Sequence, residues 1–215
     1  FIHRTAKMWQ MNAVSISPYT LPLLSLLMFN LGQYESWLQG FQTVMFLGIC
    51  SVVVGLFLVA EKDSNLSFSA ATVLGVIAAF SMANGLLYWP IGLGILLLSG
   101  SPNKNRVKIF VWLVVSALSI GLFFKDWVST GHLDVHYAIT HPLEWMVWIL
   151  SFLGAPIMAV DGVAWIFGLL SFALYVVIIK YALRTGKIAG LLPHLAVSLF
   201  ILVTVGAISL GRIKL

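Results

Sequence analysis

Charged residues are scarce in this chain of 215 residues. Asp, Glu, Lys and Arg make up 9% of it, hydrophobic residues make up 60%, and the mean hydropathy is +1.02. A water-soluble domain carries about 25% charged residues because its surface faces water. A soluble fold of this composition would expose large apolar areas and aggregate. The shortage of charge therefore excludes an ordinary soluble domain and indicates a membrane protein.

Cysteine is nearly absent as well, because Cys50 is the only one in the sequence. One thiol forms neither an internal disulfide nor a zinc site built from several cysteines. The sequence also has no Walker loop, GxSxG elbow, HExxH motif or GxGxxG fingerprint, so soluble-type nucleotide chemistry is not expected. The net charge is +5, but the basic residues form short clusters between apolar segments. That distribution is typical of membrane topology and not of nucleic-acid binding.

Long apolar segments are what the chain has instead. A membrane-spanning helix needs about 20 mostly apolar residues. The segments are apolar all round and lack the alternating pattern of a transmembrane β-barrel. The sequence therefore predicts an all-α polytopic bundle of about six to seven membrane segments, some of them broken or re-entrant. We expect one transmembrane domain over residues 1–215, as part of a longer polypeptide. The predicted segments are 16–29 (marginal), 41–60, 68–98, 109–124, 145–160, 162–179 and 191–210.

The segment 68–98 is too long for one simple span and too short for two. Asn84-Gly85 and Trp89-Pro90 interrupt it. We expect a span to about Tyr88, followed by a broken or half-length helix that lines a cavity or packs within protein. Asn84 marks the break, where its side chain can satisfy freed backbone groups. A substrate contact at Asn84 is the second possibility.

Two basic loops bear on the orientation in the membrane. The first loop contains Lys104, Arg106 and Lys108, and the second contains Lys180, Arg184 and Lys187. The loop 125–142 carries acids and histidines and is expected to be external. Counting every segment as a span puts the two basic loops on opposite faces, unless an intervening segment re-enters the membrane. The segment 142–156 is the candidate for re-entry, and the positive-inside rule does not decide the question.

The loop 131–144 concentrates three histidines and two carboxylates. Imidazole and carboxylate are ligands for zinc or iron. However, Gly131 and the sequence His141-Pro142 argue against one helical face that carries all of them. A polar loop outside the membrane, or a site for a lipid headgroup or phosphate, is the alternative interpretation. The weak metal candidates are His132, His136, His141 and Glu144.

Several isolated polar residues form the candidate polar site. Asp161 is either a turn residue at the interface or an acid at membrane depth that lines a polar cavity. Glu35 is either the water-facing end of a helix or a general base or sugar ligand. Arg212 follows the last span and is either a snorkelling cation or a phosphate-binding arginine. The candidate residues are Glu35, Asn84, Asp134, Asp161 and Arg212.

Four segments carry a resemblance to a known group of proteins. They are QYESWLQGFQ (33–42), FSMANGLLYWPIG (80–92), FLGAP (152–156) and LGR (210–212). Together they resemble a group of bacterial polytopic membrane proteins whose layout is similar to GT-C-type glycosyltransferases, which use lipid-linked sugar donors. The resemblance implies a multi-helix fold with a substrate cavity at the membrane surface. GT-C enzymes carry an essential acid in an early external loop, and no matching acid precedes Glu35, so no catalytic residue is carried over.

The expected function is that of a lipid-linked sugar transferase in a bacterial inner (cytoplasmic) membrane, of which this chain is the later portion. Its partners are then membrane lipids and a lipid-linked sugar. Two alternatives stay open: a non-catalytic accessory subunit that packs against other membrane subunits, and a transporter subunit. The sequence points to no nucleic-acid partner and identifies no cofactor.

Overall fold

The computed structural model describes residues 40–61, 64–98, 106–125, 135–157, 162–185 and 188–212. All regular elements in this part of the chain are helices, which confirms the predicted all-α class for the described residues. In chain order the elements are α1 (Gly40–Val59), α2 (Asn65–Ser81), a 3₁₀ helix (Ala83–Leu87), α3 (Tyr88–Leu98), α4 (Arg106–Phe124), α5 (Val135–Thr140), α6 (Pro142–Gly154), α7 (Ala164–Arg184) and α8 (Ile188–Arg212).

Three of the described helices are long and apolar enough to cross a membrane. The qualifying stretches are Arg106–Phe124 in α4, Ala164–Tyr181 in α7 and Gly190–Leu210 in α8. At 1.5 Å per residue, about 20 residues cover the hydrocarbon core of a bilayer. The shorter apolar helices are Val44–Val59, Asn65–Ser81, Ala83–Leu98 (the 3₁₀ helix and α3 together) and Pro142–Gly154.

The predicted segments agree with the helices in most places. Segments 41–60, 109–124, 162–179 and 191–210 coincide with α1, α4, α7 and α8 to within five residues at each end. Segment 145–160 is too long, because the corresponding helix α6 ends at Gly154. The marginal segment 16–29 lies outside the described residues.

The break in segment 68–98 falls earlier than predicted. A span that continues to about Tyr88 is wrong, because α2 ends at Ser81 and Met82 is extended, with φ −156° and ψ 146°. Asn84 lies in the 3₁₀ helix directly after this break, as predicted. The chain folds back along α2, and the Tyr88 hydroxyl donates a hydrogen bond of 2.8 Å to the carbonyl of Ala71. Burial of the tyrosine ring and its satisfied hydroxyl stabilise the fold-back.

A short hydrogen-bonded link joins α1 to α2. The Ser64 side chain caps α2 by accepting a bond of 3.1 Å from the backbone N–H of Ser67. The Ser67 hydroxyl in turn donates to Oε2 of Glu61 at 2.5 Å. The end of α1 and the start of α2 are therefore held side by side, and the two helices pack as an antiparallel hairpin.

Three aromatic rings form the centre of the core. Tyr88, Trp89 and Trp112 pack against one another with ring centroids 5.0 to 5.6 Å apart. The indole N–H of Trp112 donates to the carbonyl of Trp89 at 3.0 Å, which ties α4 to α3. The Nε1 atom of Trp89 has no hydrogen-bond partner among the described residues. Apolar side chains of α1, α2, α3 and α8 surround the rings: Val52, Leu56, Val59, Ala71, Ala78, Ile95, Leu96, Ala196 and Phe200.

Close approach of α3 to α4 depends on a glycine. A Cβ atom built at Gly92 would collide with the six-membered ring of Trp112, which is fixed by its hydrogen bond and its neighbours. A Cβ atom built at Gly94, two residues further on in α3, meets no neighbouring group within 4 Å, so Gly94 faces open space. The two positions form a matched pair for measuring how tightly the aromatic cluster is packed.

We expect Gly92→Ala to lower the free energy of unfolding by about 1–3 kcal/mol, because it overpacks the contact with Trp112. Gly94→Ala is expected to be neutral or to stabilise by up to about 1 kcal/mol, since alanine is the better helix former. Reversible unfolding in mixed detergent micelles measures both. Equal effects of the two changes would contradict the packing described for Trp112.

Candidate functional site

Two side-chain contacts show which helix termini share one end of the bundle. The rings of Phe57, near the end of α1, and His194, near the start of α8, have centroids 4.9 Å apart. Lys108 Nζ, near the start of α4, lies 5.7 Å from the ring centroid of Phe68, near the start of α2. Because α1 and α2 form a hairpin, all four termini lie at the same end.

We call this the basic end, and define it by the ends of α1, α3 and α7 with the starts of α2, α4 and α8. Seven of the twelve Lys and Arg residues of the chain occur at these termini or in the links between them. They are Lys62, Lys104, Arg106, Lys108, Lys180, Arg184 and Lys187. The two basic loops, which the sequence places on opposite faces unless an intervening segment re-enters the membrane, therefore connect helix termini at one end of the bundle.

The opposite end, called here the polar end, contains the start of α1, the end of α2, the end of α4, the start of α7 and the end of α8. A hydrogen bond at this end joins α6 to α8. The indole N–H of Trp145 donates to the hydroxyl of Ser209 at 2.5 Å, and that hydroxyl donates to the carbonyl of Gly206 at 2.6 Å. Ser209 is fully buried, so an unpaired hydroxyl there would be costly.

Helix α6 is also fixed to the start of α7. A Cβ atom at Gly154 would collide with the backbone of Ala164, and one at Gly168 would collide with the carbonyl of Leu150. Two glycines thus allow the helix backbones to touch, as small residues do in membrane bundles. The end of α6 therefore packs on the start of α7, while its first turn contacts the end of α8.

The structure brings four of the sequence candidates to the polar end. Asn84 is half-buried in the 3₁₀ helix that follows α2. His141 and Glu144 are exposed at the start of α6, and His141 Nδ1 lies 2.9 Å from the hydroxyl of Thr140. Arg212 is the last residue of α8. It lies three residues beyond Ser209, which is about one helical turn.

The other candidates are not all described. Glu35, Asp134 and Asp161 lie outside the described residues, and so does the side chain of Arg212. In the sequence, Asp134 directly precedes α5, and Asp161 directly precedes Gly162. Gly162 has a φ of +81° and belongs to the turn that leads into α7. A left-handed glycine at this point is typical of a tight connection.

The metal hypothesis concerns four residues that the structure describes only in part. No group of three His, Cys, Asp or Glu side chains that could hold a metal ion occurs among the described residues. His132 lies outside them, and His136 belongs to α5 with its side chain outside the description. His141 and Glu144 are both exposed: Glu144 lies in the first turn of α6, and His141 directly precedes the helix.

Sequence reasoning missed the contact between Trp145 and Ser209. A tryptophan at the end of an apolar segment predicts an interfacial ring and gives no sign of a partner 64 residues away. The available signal was Ser209 itself, a hydroxyl in an otherwise apolar helix. Serine in a membrane helix commonly bonds to its own helix or to a neighbouring one.

Comparisons of the chain with protein-family profiles, with curated proteins and with solved structures find no match in any of the three. The function is therefore inferred from the residues and their geometry.

We expect a double-mutant cycle of Trp145→Phe and Ser209→Ala to show a coupling of about 0.5–1.5 kcal/mol, because each change removes one partner of the same hydrogen bond. The matched control replaces Ser198, also on α8, whose hydroxyl donates to the carbonyl of His194 in its own helix at 3.0 Å. Trp145→Phe with Ser198→Ala should show no coupling in the same unfolding assay. Coupling in both cycles, or in neither, would contradict the bond between α6 and α8.

Proposed function

We propose that this chain is the later, membrane-embedded portion of a lipid-linked sugar glycosyltransferase of the GT-C type, located in a bacterial cytoplasmic membrane. Membrane embedding is supported by the outer helices. Only 17% of the qualifying stretch of α4 and 11% of that of α7 is buried inside the structure. Large apolar side chains such as Phe110 and Leu174 are exposed. Hydrocarbon chains solvate such surfaces, and water does not.

Seven membrane segments are proposed for the described part of the chain. They are α1, α2, the 3₁₀ helix with α3, α4, α6, α7 and α8. The six to seven segments predicted from the sequence include the marginal segment 16–29, which lies outside the described residues, and they count 68–98 once. The structure divides 68–98 into α2 and the 3₁₀ helix with α3. The 3₁₀ helix lies at the polar end, and the chain that leaves it for α3 is packed in protein, because Gly85, Tyr88 and Trp89 are buried.

The basic end is proposed to face the cytoplasm. Lys and Arg in short loops remain on the cytoplasmic side during insertion, and all three links at this end carry them. The polar end then lies at the external face. A lipid-linked sugar has its hydrocarbon chain in one leaflet and its phosphate and sugar at the level of the helix termini, so a site for it belongs at such an end.

The grouping of four sequence candidates at the polar end is the observation that carries the proposal. Asn84, His141, Glu144 and Arg212 are all at the polar end, away from most of the Lys and Arg residues. Amide, imidazole and carboxylate groups form hydrogen bonds with sugar hydroxyls. The guanidinium of arginine matches the oxygens of a phosphate in a bidentate contact. The resemblance to GT-C-type enzymes supports the same assignment.

The binding test uses decaprenyl monophosphate, which carries the phosphate and the hydrocarbon chain of such a donor. Titration into the detergent-solubilised chain, followed by tryptophan fluorescence, gives the dissociation constant. Arg212→Gln is expected to weaken binding by about tenfold or more, since it removes a charge-assisted phosphate contact. Arg184→Gln, at the basic end, removes the same charge and is expected to leave the affinity unchanged.

Three outcomes would count against the proposal. Absence of binding to the unaltered chain would show that a lipid-linked phosphate is not the ligand. Equal loss in Arg212→Gln and Arg184→Gln would show general attraction to positive charge and no site. Unchanged affinity in Arg212→Gln would show that Arg212 is not part of the binding site.

A non-catalytic accessory subunit of a larger membrane complex is the second candidate. The exposed sides of α4 and α7 favour it, because another membrane chain can cover such sides as well as lipid can. A photo-crosslinking residue in place of Phe110 or Leu174 separates the two candidates in the native membrane. The transferase proposal expects adducts with lipid, and the accessory role expects a discrete protein adduct at one of the two positions.

A further inference from the structure

Helix α6 is too short to cross a membrane. It contains 13 residues, from Pro142 to Gly154. At 1.5 Å per residue this is about 20 Å, against about 30 Å for the hydrocarbon core of a bilayer. His141 and Glu144 are exposed at its start, so its first turn carries groups that prefer water or lipid headgroups.

Both ends of α6 contact the polar end of the α7–α8 pair. Trp145 bonds to Ser209 near the end of α8, and Gly154 packs on Ala164 at the start of α7. The start of α7 and the end of α8 lie on the same side because the two helices are antiparallel. A bond of 3.5 Å from the Tyr175 hydroxyl to the carbonyl of Leu195 agrees with that pairing.

The path of the chain also requires both ends of α6 to lie at the polar end. Helix α4 begins at the basic end and finishes at the polar end, whereas α7 begins at the polar end and finishes at the basic end. The chain between Lys125 and Gly162 therefore starts and finishes on one side. A single crossing by α6 would leave it on the wrong side.

One face of α6 changes its surroundings along the helix. Leu143, Met146, Val147, Leu150 and Gly154 share this face by their spacing of three and four residues. At Gly154 it is buried against α7, whereas Leu143, Met146 and Val147 are 77%, 59% and 47% exposed. The apolar side chains on this face of the first two turns of α6 are therefore uncovered.

We infer that α6 is a half-length helix that lies within the leaflet at the polar end, with Leu143, Met146 and Val147 in contact with the acyl chains of that leaflet. Acyl chains are the occupant because α7, the helix on which α6 packs, presents exposed apolar side chains of the same kind on its own surface. The start of α6 carries its exposed polar groups at the level of the headgroups, as interfacial helices do. The inference rests on the membrane embedding in the proposed function, and not on sugar transfer.

Spin labels measure the depth of each residue in the bilayer. In a Cys50→Ala background, single cysteines replace Leu143, Met146, Val147 and Phe152 on α6, and Leu170, Leu174 and Val177 on α7. The labelled chain is reconstituted in vesicles of phosphatidylcholine and phosphatidylglycerol, and collisions with oxygen and with a water-soluble nickel complex are compared. Labels on α6 are expected to favour oxygen and to stay within one leaflet. Labels on α7 are expected to change depth by about 1.5 Å per residue.

The α7 labels separate failure of the inference from failure of the proposed function. If the oxygen and nickel collisions place the α7 labels outside the bilayer, membrane embedding itself is wrong. If α7 behaves as expected but the α6 labels progress across the bilayer midplane, α6 spans and the inference is wrong. If the α6 labels are shielded from both oxygen and nickel, protein covers the face and acyl chains do not, which also overturns it.

Discussion

Hydrocarbon offers no hydrogen-bond partners, and this constraint organises the structure. A polar group that enters the bilayer is costly unless it finds a partner inside the protein. Tyr88 and Trp112 meet the requirement by donating to backbone carbonyls of neighbouring helices, and Trp145 by donating to Ser209. Ser116 and Ser119 on α4 donate to carbonyls of their own helix at 2.9 and 2.8 Å. The bonds between helices are therefore also the contacts that fix the bundle.

The same constraint sorts the charges to the two ends of the bundle. Charged side chains at membrane depth are costly, so Lys and Arg collect at the helix termini and in the links. Their concentration at one end gives the bundle a direction, and leaves Asn84, His141 and Glu144 with the end of α8 on the other side. Function is proposed for the polar end because candidate residues with amide, imidazole, carboxylate and guanidinium groups are grouped there. Helix α6 belongs to that end and adds an apolar surface beside the polar groups.

Composition and apolar length were enough to predict the helical class and the positions of α1, α4, α7 and α8. They were not enough to locate the break after α2, because the fold-back depends on Tyr88 reaching Ala71, a contact that no local pattern encodes. The length of α6 was predicted in part, since the span 145–160 runs past its end at Gly154 but the re-entrant candidate 142–156 matches it to within two residues. Asn84 was predictable as a break residue. The grouping of candidates at one end was not, because it depends on which helix termini lie together.

Labelling of the two ends from one side of the membrane tests this account most directly. In a Cys50→Ala background, Ala83→Cys places an exposed thiol at the polar end and Thr185→Cys places one at the basic end. A membrane-impermeant maleimide is applied to intact cells and then to permeabilised cells. The account predicts that Ala83→Cys reacts in intact cells and that Thr185→Cys reacts only after permeabilisation. Equal reaction of both thiols in intact cells would contradict a bundle whose two ends lie on opposite faces.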